Sequence, residues 1–197
     1  MTDKPCAESC LQNREPIRHI LEGYVEGRQT LLEIGSGTGQ HAVYFSSISP
    51  WLSWQTSDLA QNHPAIQAWI DDSGLDNVLQ PLQLDVCGNW PKQRYDLLFS
   101  ANTLHMMSAF EVEQLFSHCP QCMQPDACLL IYGPFNYQNR YTSDSNARFD
   151  HWLRQRDPDS GIKNFEWLQD IAGVSGLECV ADYPMPANNR VLVWQNK

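Results

Sequence analysis

Short apolar runs alternate with helical patterns along most of this chain of 197 residues, and that alternation constrains the fold most. Strand-like runs of this kind are TLLEI, SWQTS, PLQLDV, YDLLFS and ACLLIYG. Between them lie helical stretches such as GQHAVYFSSI, AIQAWIDDSGL and the segment from Ala109 to Met123. Strands that alternate with helices predict a parallel sheet with helices on both faces.

The end of the chain departs from this pattern. LECVADYPM and RVLVWQN are strand-like, and only a few residues separate them, including Ala187, Asn188 and Asn189. So short a connection joins antiparallel strands. The predicted fold class is therefore α/β, a three-layer, doubly wound, mostly parallel seven-stranded sheet with a C-terminal antiparallel hairpin.

Two segments lie outside the alternation. Apolar residues at helical spacing predict an N-terminal helix over about 14–26, with Asn13 as its cap and Pro16 in its first turn. The stretch 133–164, called the cover segment below, is polar, rich in aromatic and turn residues, and longer than a plain connection. Such a segment is typical of a lid or a binding loop.

Length and charge limit the possible functions. The length suits one domain over residues 1–197. The formal charge of −10 disfavours nucleic acid and anionic membranes as partners, which leaves a small molecule as the expected one. No window approaches 18 consecutive apolar residues, and MTDKPCAESC does not resemble a signal peptide, so we expect a cytoplasmic protein.

The seven cysteines favour buried, reduced thiols. A four-thiolate zinc site from Cys6, Cys10, Cys119 and Cys122 is the alternative. It is disfavoured because Pro120 lies inside the C-x-x-C, at the end of a helical pattern. No metal is predicted.

The stretch TLLEIGSGTGQHAVYF places a glycine turn between a strand and a helix. Such a turn favours an anionic or carboxylate-bearing ligand at the helix N-terminus. Gly35, Gly37 and Gly39 give G-x-G-x-G, whereas a dinucleotide fingerprint would need glycine where Gln40 stands. A nicotinamide oxidoreductase is thereby weakened, and no G-K-[ST] follows for a nucleoside triphosphate.

Three acidic residues follow or end successive strands. Glu33 ends the first strand, Asp58 follows the second, where it can bind both ribose hydroxyls, and Asp85 follows the third. Because open α/β sheets bind ligands at their carboxyl edge, we expect the three to converge there.

These motifs together resemble those of the class I S-adenosylmethionine-dependent methyltransferases, which have a Rossmann-like fold. The resemblance rests on LLEIGSGTGQ, Asp58, LDV at 84–86, FSANTLHMM at 99–107 and the closing hairpin. Within that superfamily the chain resembles the methyltransferase-like protein 26 family. That narrower resemblance rests on NREPI, SGTGQHAVYF, FSAN, YGPFN, SNARFDHWLRQRDPDSGI and MPANN, which span nearly the whole chain. Pro125-Asp126-Ala127-Cys128 departs from the superfamily, which commonly has a Pro-Gly-Gly turn there.

The resemblance implies roles for a set of cofactor-binding residues. The glycines and Ser36 would lie against the methionine part, with Glu33 steering its amino group and Arg14 as candidate for its carboxylate. The ribose would be bound by Asp58, with Leu59 against the adenine, while Asp85 would accept from the adenine amino group and Val86 would pack on the ring. Asn102 would lie beside the methionine. The predicted set is Arg14, Glu33, Gly35, Ser36, Gly37, Gly39, Asp58, Leu59, Asp85, Val86 and Asn102.

The acceptor side is less defined. His105, four residues past the fourth strand, is a weak candidate base, and His41, His63 and His118 are predicted on helix surfaces. From the cover segment, the candidate substrate residues are Tyr132, Asn136, Tyr141 and Arg148. Arginines there would suit an anionic substrate, while the alternative is a plain amphipathic helix.

We therefore expect in-line methyl transfer from S-adenosyl-L-methionine to a small molecule. The alternative is a protein that binds S-adenosylmethionine or another partner without catalysis, since a fold does not establish an activity.

Overall fold

A computed structural model describes residues 4–196. Its helices are α1 Glu8–Val25, α2 Gln40–Ile48, α3 His63–Ser73, α4 Ala109–His118, α5 Asp144–Arg156 and α6 Phe165–Val174. Its strands are β1 Thr30–Glu33, β2 Ser53–Asp58, β3 Val78–Gln83, β4 Tyr95–Ala101, β5 Met123–Gly133, β6 Phe135–Asn136, β7 Lys163–Asn164, β8 Leu177–Met185 and β9 Asn189–Asn196.

Seven strands form one sheet in the order β3-β2-β1-β4-β5-β9-β8. The first five are parallel, and β9 runs antiparallel to both β5 and β8. This confirms the predicted fold class. The chain winds outward from β1 to β3 and then returns to place β4 beside β1, so the winding reverses between these two strands. Ligands of open α/β sheets bind at such a reversal.

Apolar residues on both faces of the central strands explain why the sheet is buried. Leu31 and Leu97 pack with residues of α1, α2 and α3, while their neighbours Leu32 and Leu98 pack with α4 and α6. Successive side chains point to opposite faces of a strand, so consecutive apolar residues are needed where helices cover both.

The predicted N-terminal helix is real but begins earlier, at Glu8 rather than near residue 14. Asn13 is therefore not a cap. It is buried inside α1, and its Oδ1 lies 2.7 Å from Nε2 of His41. Pro16 also lies inside the helix rather than in its first turn.

The predicted helix over 109–123 is shorter than expected. Helix α4 ends at His118, Cys119–Cys122 form a 3-10 turn, and Met123 already belongs to β5. Pro120 cannot continue an α-helix because it lacks an N–H. In β5, Asp126 has a positive φ of 60°, at the position where the superfamily commonly has the first glycine of a Pro-Gly-Gly turn. Glycine adopts a positive φ more readily than aspartate does.

The cysteines are only partly buried. Cys119, Cys122 and Cys128 lie in the core, whereas Cys6 and Cys87 are exposed, contrary to expectation. Among residues 4–196, no group of three or more His, Cys, Asp or Glu side chains is arranged to hold a metal ion. Over the same residues, no helix is long and apolar enough to cross a membrane.

Candidate functional site

A cavity of about 660 Å³ opens at the carboxyl edge of the sheet, where β1, β2, β3 and β4 end. It lies at the reversal between β1 and β4, as expected for this architecture. Most of the predicted cofactor residues line it, namely Gly35, Ser36, Gly37, Asp58, Leu59, Asp85, Val86 and Asn102.

The three glycines of the turn have three different environments. Gly35 has φ of 74°, and a Cβ there would lie 2.7 Å from Cγ2 of Thr103. Gly37 has φ of 60°, and a Cβ would meet nothing within 4 Å because the residue faces the cavity. Gly39 is the N-cap of α2 and packs on Ile66 rather than lining the cavity. Gly35 therefore permits close packing, whereas Gly37 leaves room for a ligand.

The backbone amides of this turn are already used. Gly35 and Ser36 donate to the carbonyl of Ser57 at 3.0 and 2.9 Å, and Gly37 donates to Oδ2 of Asp58 at 2.7 Å. These three amides are therefore not available to the anionic ligand that the turn was expected to favour. Their bonds join the turn to the end of β2, which fixes its shape before any ligand arrives.

Asp58 is the most constrained carboxylate in the cavity wall. It is 8% exposed, and it accepts from Gly37 N, Leu59 N and Asn62 Nδ2, each at 2.7 Å. A carboxylate has about four acceptor positions, so one is left for a ligand. Three fixed donors also hold the group in one orientation.

Asp85 lies in a looser environment beside an apolar wall. Its Oδ1 accepts from Cys87 N at 2.9 Å, and the side chain is exposed. Leu84 and Val86 flank it and are buried. This combination of one open carboxylate and two aliphatic side chains suits a flat ring with a polar edge.

Besides Gly39, two predicted residues lie away from the cavity, Glu33 and Arg14. Glu33 is fully buried and accepts from Nε1 of Trp54 at 3.0 Å. Burial raises the pKa of Glu33 to about 7, against the opposing hydrogen bond from Trp54. Arg14 lines a separate cavity of about 270 Å³, with its guanidinium 4.7 Å from the ring centre of Tyr44.

The histidines predicted on helix surfaces are in fact partly or fully buried. His41 lines the cavity, stacks on Phe45 with ring centres 5.4 Å apart, and has a pKa lowered to about 4 by burial. His63 lies 3.0 Å from the carbonyl of Asp58, and His118 lies 3.3 Å from that of Val86. The surface prediction was wrong because each ring contacts a neighbouring element: His41 contacts Asn13 of α1, His63 the end of β2 and His118 the segment after β3.

The N-terminal segment also reaches the cavity, which the sequence did not indicate. Pro5, Ala7, Ser9 and Cys10 line it. The carbonyl of Pro5 accepts from Nε1 of Trp69 at 2.7 Å. This contact joins residues 64 apart and has no local signature.

Residues after β4 form the remaining wall. Thr103, Met106, Met107 and Glu111 line it. His105 lies between them on a 3-10 turn, and its ring meets Phe149 with centres 5.2 Å apart. Burial, and then the charge of Lys163, lower the pKa of His105 to about 4. The ring is therefore neutral near pH 7, and none of the described residues hydrogen-bonds to it.

The structure does not bring the four candidate substrate residues to this wall. Tyr132 is buried and its hydroxyl accepts from Asn189 at 3.0 Å, while Tyr141 donates to Asp150 at 2.8 Å. Arg148 is exposed on α5. Asn136 differs, since its Oδ1 is buried without a hydrogen-bond partner among the described residues.

A family model matches the sequence, and solved structures of other proteins have the same fold. A family model described as "Protein of unknown function (DUF938)" matches residues 4–196. An O-methyltransferase family protein from Burkholderia thailandensis superposes with a TM-score of 0.85 at 17% identity, covering 96% of this chain and 58% of that one. The mitomycin 7-O-methyltransferase MmcR superposes with a TM-score of 0.80 at 17% identity, covering 94% and 54%.

A relative with a described function matches in sequence. The highly reducing polyketide synthase rstn3 of Aspergillus nomiae is 26% identical over an alignment 197 residues long, which covers 88% of this chain and 8% of the synthase. The chain thus spans little more than half of the two similar structures and under a tenth of this relative. At these identities, the similarity of the solved structures establishes a shared fold.

Proposed function

The chain belongs to the DUF938 family and has the class I methyltransferase fold, and on that premise we propose that it is an S-adenosylmethionine-dependent methyltransferase of a small molecule. The observation that carries the proposal is the convergence of Gly37, Asp58 and Asp85 on one cavity at the carboxyl edge. Resemblance to the methyltransferase-like protein 26 family remains part of this proposal.

The residues present fit the proposed cofactor. Gly37 leaves open space where a side chain would intrude, and the fixed carboxylate of Asp58 retains one acceptor position for a ribose hydroxyl. Beside them, Leu59 is 40% exposed towards the cavity, as expected of a residue that packs on adenine. Asp85 and Val86 would meet the amino edge and the face of that ring.

The methionine part would lie towards α2. We place Gly35, Ser36 and Asn102 against it, and we add His41 and Cys10, which line the same cavity. Glu33 would not contact the cofactor directly. It would act from behind the cavity wall, through its own charge and through the hydrogen bonds of the glycine turn. Gly39 would act by fixing the start of α2.

When bound, S-adenosylmethionine supplies a methyl group on a positively charged sulfur. The task of the chain is to align an acceptor in line with that bond and to exclude water. His105 stays a weak candidate base, because its ring is neutral near pH 7 but its lowered pKa makes it a poor proton acceptor and it is not among the residues that line the cavity. Asn136 is a candidate contact, because its buried Oδ1 lacks a donor. A role for Tyr132, Tyr141 and Arg148 stays a prediction.

Thermal unfolding with S-adenosylmethionine, S-adenosylhomocysteine and NAD tests the proposal. We expect the first two to raise the unfolding midpoint, since a ligand of the folded state stabilises it. Stabilisation by NAD alone would overturn the proposal.

The alternative is a protein that binds the cofactor without transferring its methyl group. A screen of small hydroxyl and amine compounds with labelled methyl donor separates the two functions. If His105→Gln reduces turnover and leaves the cofactor affinity unchanged, the result would support His105 as the base. Cofactor binding without any turnover would favour the non-catalytic function.

A further inference from the structure

The separate cavity that Arg14 lines is small and largely apolar. It has a volume of about 270 Å³ and lies between helices α1, α2 and α3. Pockets for drug-sized ligands run from about 300 to 1,000 Å³, so this one suits a smaller compound with a single ring. The aliphatic and aromatic residues that line it are Leu11, Val43, Tyr44, Trp69 and Leu75.

The charge of this second cavity is opposite to that of the cavity at the carboxyl edge of the sheet. Among residues 4–196, Arg14 is the one charged residue that lines the second cavity. The charged residues that line the first are Asp58, Asp85 and Glu111, which are all acidic. The two cavities therefore favour ligands of opposite charge.

The guanidinium of Arg14 is not neutralised by direct contact. Within the part of the chain that the structure describes, it forms no ion pair and donates no hydrogen bond, and its Nε is buried without a partner. The group packs on Tyr44, 4.7 Å from the centre of the ring. A guanidinium has five N–H donors, and donors without an acceptor favour an anion.

Glu15, the acidic residue next to Arg14 in the chain, is bound to other groups. It accepts from the hydroxyl of Tyr44 and pairs with Arg18 at 3.5 Å. The hydrogen bond from Tyr44 lowers the pKa of Glu15 most, and the charges of Arg18 and Arg14 add to this effect. Glu15 is exposed, so solvent screens its attraction for Arg14. The N–H groups of Arg14 thus stay available to a ligand.

A bonded wall separates the two cavities. Cys10 is the one described residue that lines both. Beside it, Gln40 lines the second cavity, and its Oε1 accepts from Ala7 N and from Thr38 Oγ1, which belong to the wall of the first. The remaining lining residues differ, so a ligand of the second cavity would contact its own set of side chains.

We infer that the second cavity binds a small apolar compound carrying one carboxylate, at a site distinct from that of the cofactor. The carboxylate would lie on Arg14, whose planar guanidinium can donate two parallel hydrogen bonds to it. The hydrocarbon part would lie against Tyr44, Trp69 and Leu75. A single cation matches a single negative charge, and none of the other described lining residues is charged. The inference does not depend on methyl transfer.

Benzoate, benzamide and benzylamine test the inference, because they share a ring and differ in charge. Binding of each to the full chain is measured by calorimetry, with inorganic phosphate as a bare anion. We expect benzoate to bind about fivefold more tightly than benzamide, as one partly exposed charge pair allows, and benzylamine to bind most weakly. Preference for the amide or the amine, tighter binding of phosphate than of benzoate, or binding of none of the rings overturns the inference.

Two variants locate the site. Arg14→Gln should remove the preference for benzoate over benzamide, whereas Arg140→Gln, exposed in the turn after β6, loses the same charge and should keep it. Ser47→Trp places a large side chain in the cavity from the exposed side of α2, and it should abolish binding of both compounds. An unchanged preference in Arg14→Gln, or unchanged binding in Ser47→Trp, contradicts the assignment.

Repeating the benzoate titration with saturating S-adenosylhomocysteine tests whether the sites are distinct. We expect benzoate still to bind. Displacement of benzoate by S-adenosylhomocysteine would place the carboxylate in the cofactor site and overturn the inference. Binding of benzoate by a chain that does not bind S-adenosylhomocysteine would instead contradict the proposed function and support the second site.

Discussion

The two sides of the cavity are held in different ways. On the side of β1 and β2, backbone amides bond to Ser57 and Asp58, so neighbouring strand ends fix the wall. On the side of β4, the wall consists of side chains such as Met106, and Asp150 of α5 bonds to Tyr141 and Arg154 within the cover segment. The first side is therefore preformed, whereas the second depends on which side chains occupy it.

The comparison indicates where variation can be tolerated. Changes on the strand side alter a hydrogen-bonded turn and should affect folding and cofactor binding together. Changes on the other side leave strand pairing intact and should alter the choice of acceptor. Each prediction below tests this division.

The largest effect is expected for Gly35→Ala. An added Cβ would lie 2.7 Å from Thr103, at a φ of 74° that disfavours alanine. The steric clash and the unfavourable φ together should lower the free energy of unfolding by about 2–4 kcal/mol, measured by urea denaturation. Gly37→Ala is the matched control, since its Cβ meets nothing within 4 Å, and it should lose about 1–2 kcal/mol. Equal losses would contradict the packing role of Gly35.

A stabilising effect is expected for Glu33→Gln. Burial raises the pKa of Glu33 from 4.5 to about 7, so the folded state binds the proton more tightly than the unfolded state. The stability from this group is full below pH 4.5 and is lost as the pH rises towards 7.

Above pH 7 the ionised group thus costs up to about 3 kcal/mol, and glutamine can still accept from Trp54. Glu33→Gln should gain about 1–3 kcal/mol in urea denaturation at pH 8 and little at pH 4.5. The exposed Glu113→Gln should show no such gain. A loss of stability at pH 8 would mean that the buried charge is favourable.

A moderate effect on the acceptor is expected for Met107→Ala. Removing a partly buried thioether from the wall should raise KM about fivefold and leave cofactor affinity unchanged. Kinetics with any acceptor found by the screen provide the measurement. A larger loss in Arg148→Ala would show that the cover segment, not the wall after β4, binds the acceptor.

No effect on the cofactor is expected for Arg14→Ala. Its guanidinium lies over Tyr44 in the separate cavity, so calorimetry should give the affinity of the wild type. A tenfold weaker affinity would restore Arg14 as a ligand of the cofactor carboxylate.

Much of the strand side was predictable because its residues follow strands directly. The alternation of elements places Asp58 and Asp85 at one edge without knowledge of any distant contact. The position of Glu33 could not be predicted in this way, because Glu33 lies within a strand. The side chain of such a residue faces one side of the sheet or the other, and that of Glu33 faces Trp54. Which face it would take depends on the packing of β2 against β1.

Other parts of the site were less predictable, because the sequence does not show which partner a side chain or a terminal segment takes. Tyr141 was a candidate by composition, yet its hydroxyl bonds to Asp150, a few residues further along the chain. The N-terminal segment reaches the cavity through Trp69, 64 residues from Pro5, which no local pattern indicates. The helix predicted over 109–123 ends at His118, and Pro120 in the sequence already indicated an end near this point.

Calorimetric titration with S-adenosylmethionine tests the central claim most directly. We predict that the wild type binds one equivalent and that Asp58→Asn binds about 10- to 100-fold more weakly, since a hydrogen bond to a charged group is lost. Asp96→Asn is the control, because Asp96 binds Gln29 and Thr30 at the opposite edge of the sheet. It should bind the cofactor like the wild type. Absence of binding by the wild type, or equal weakening in both variants, would contradict the account.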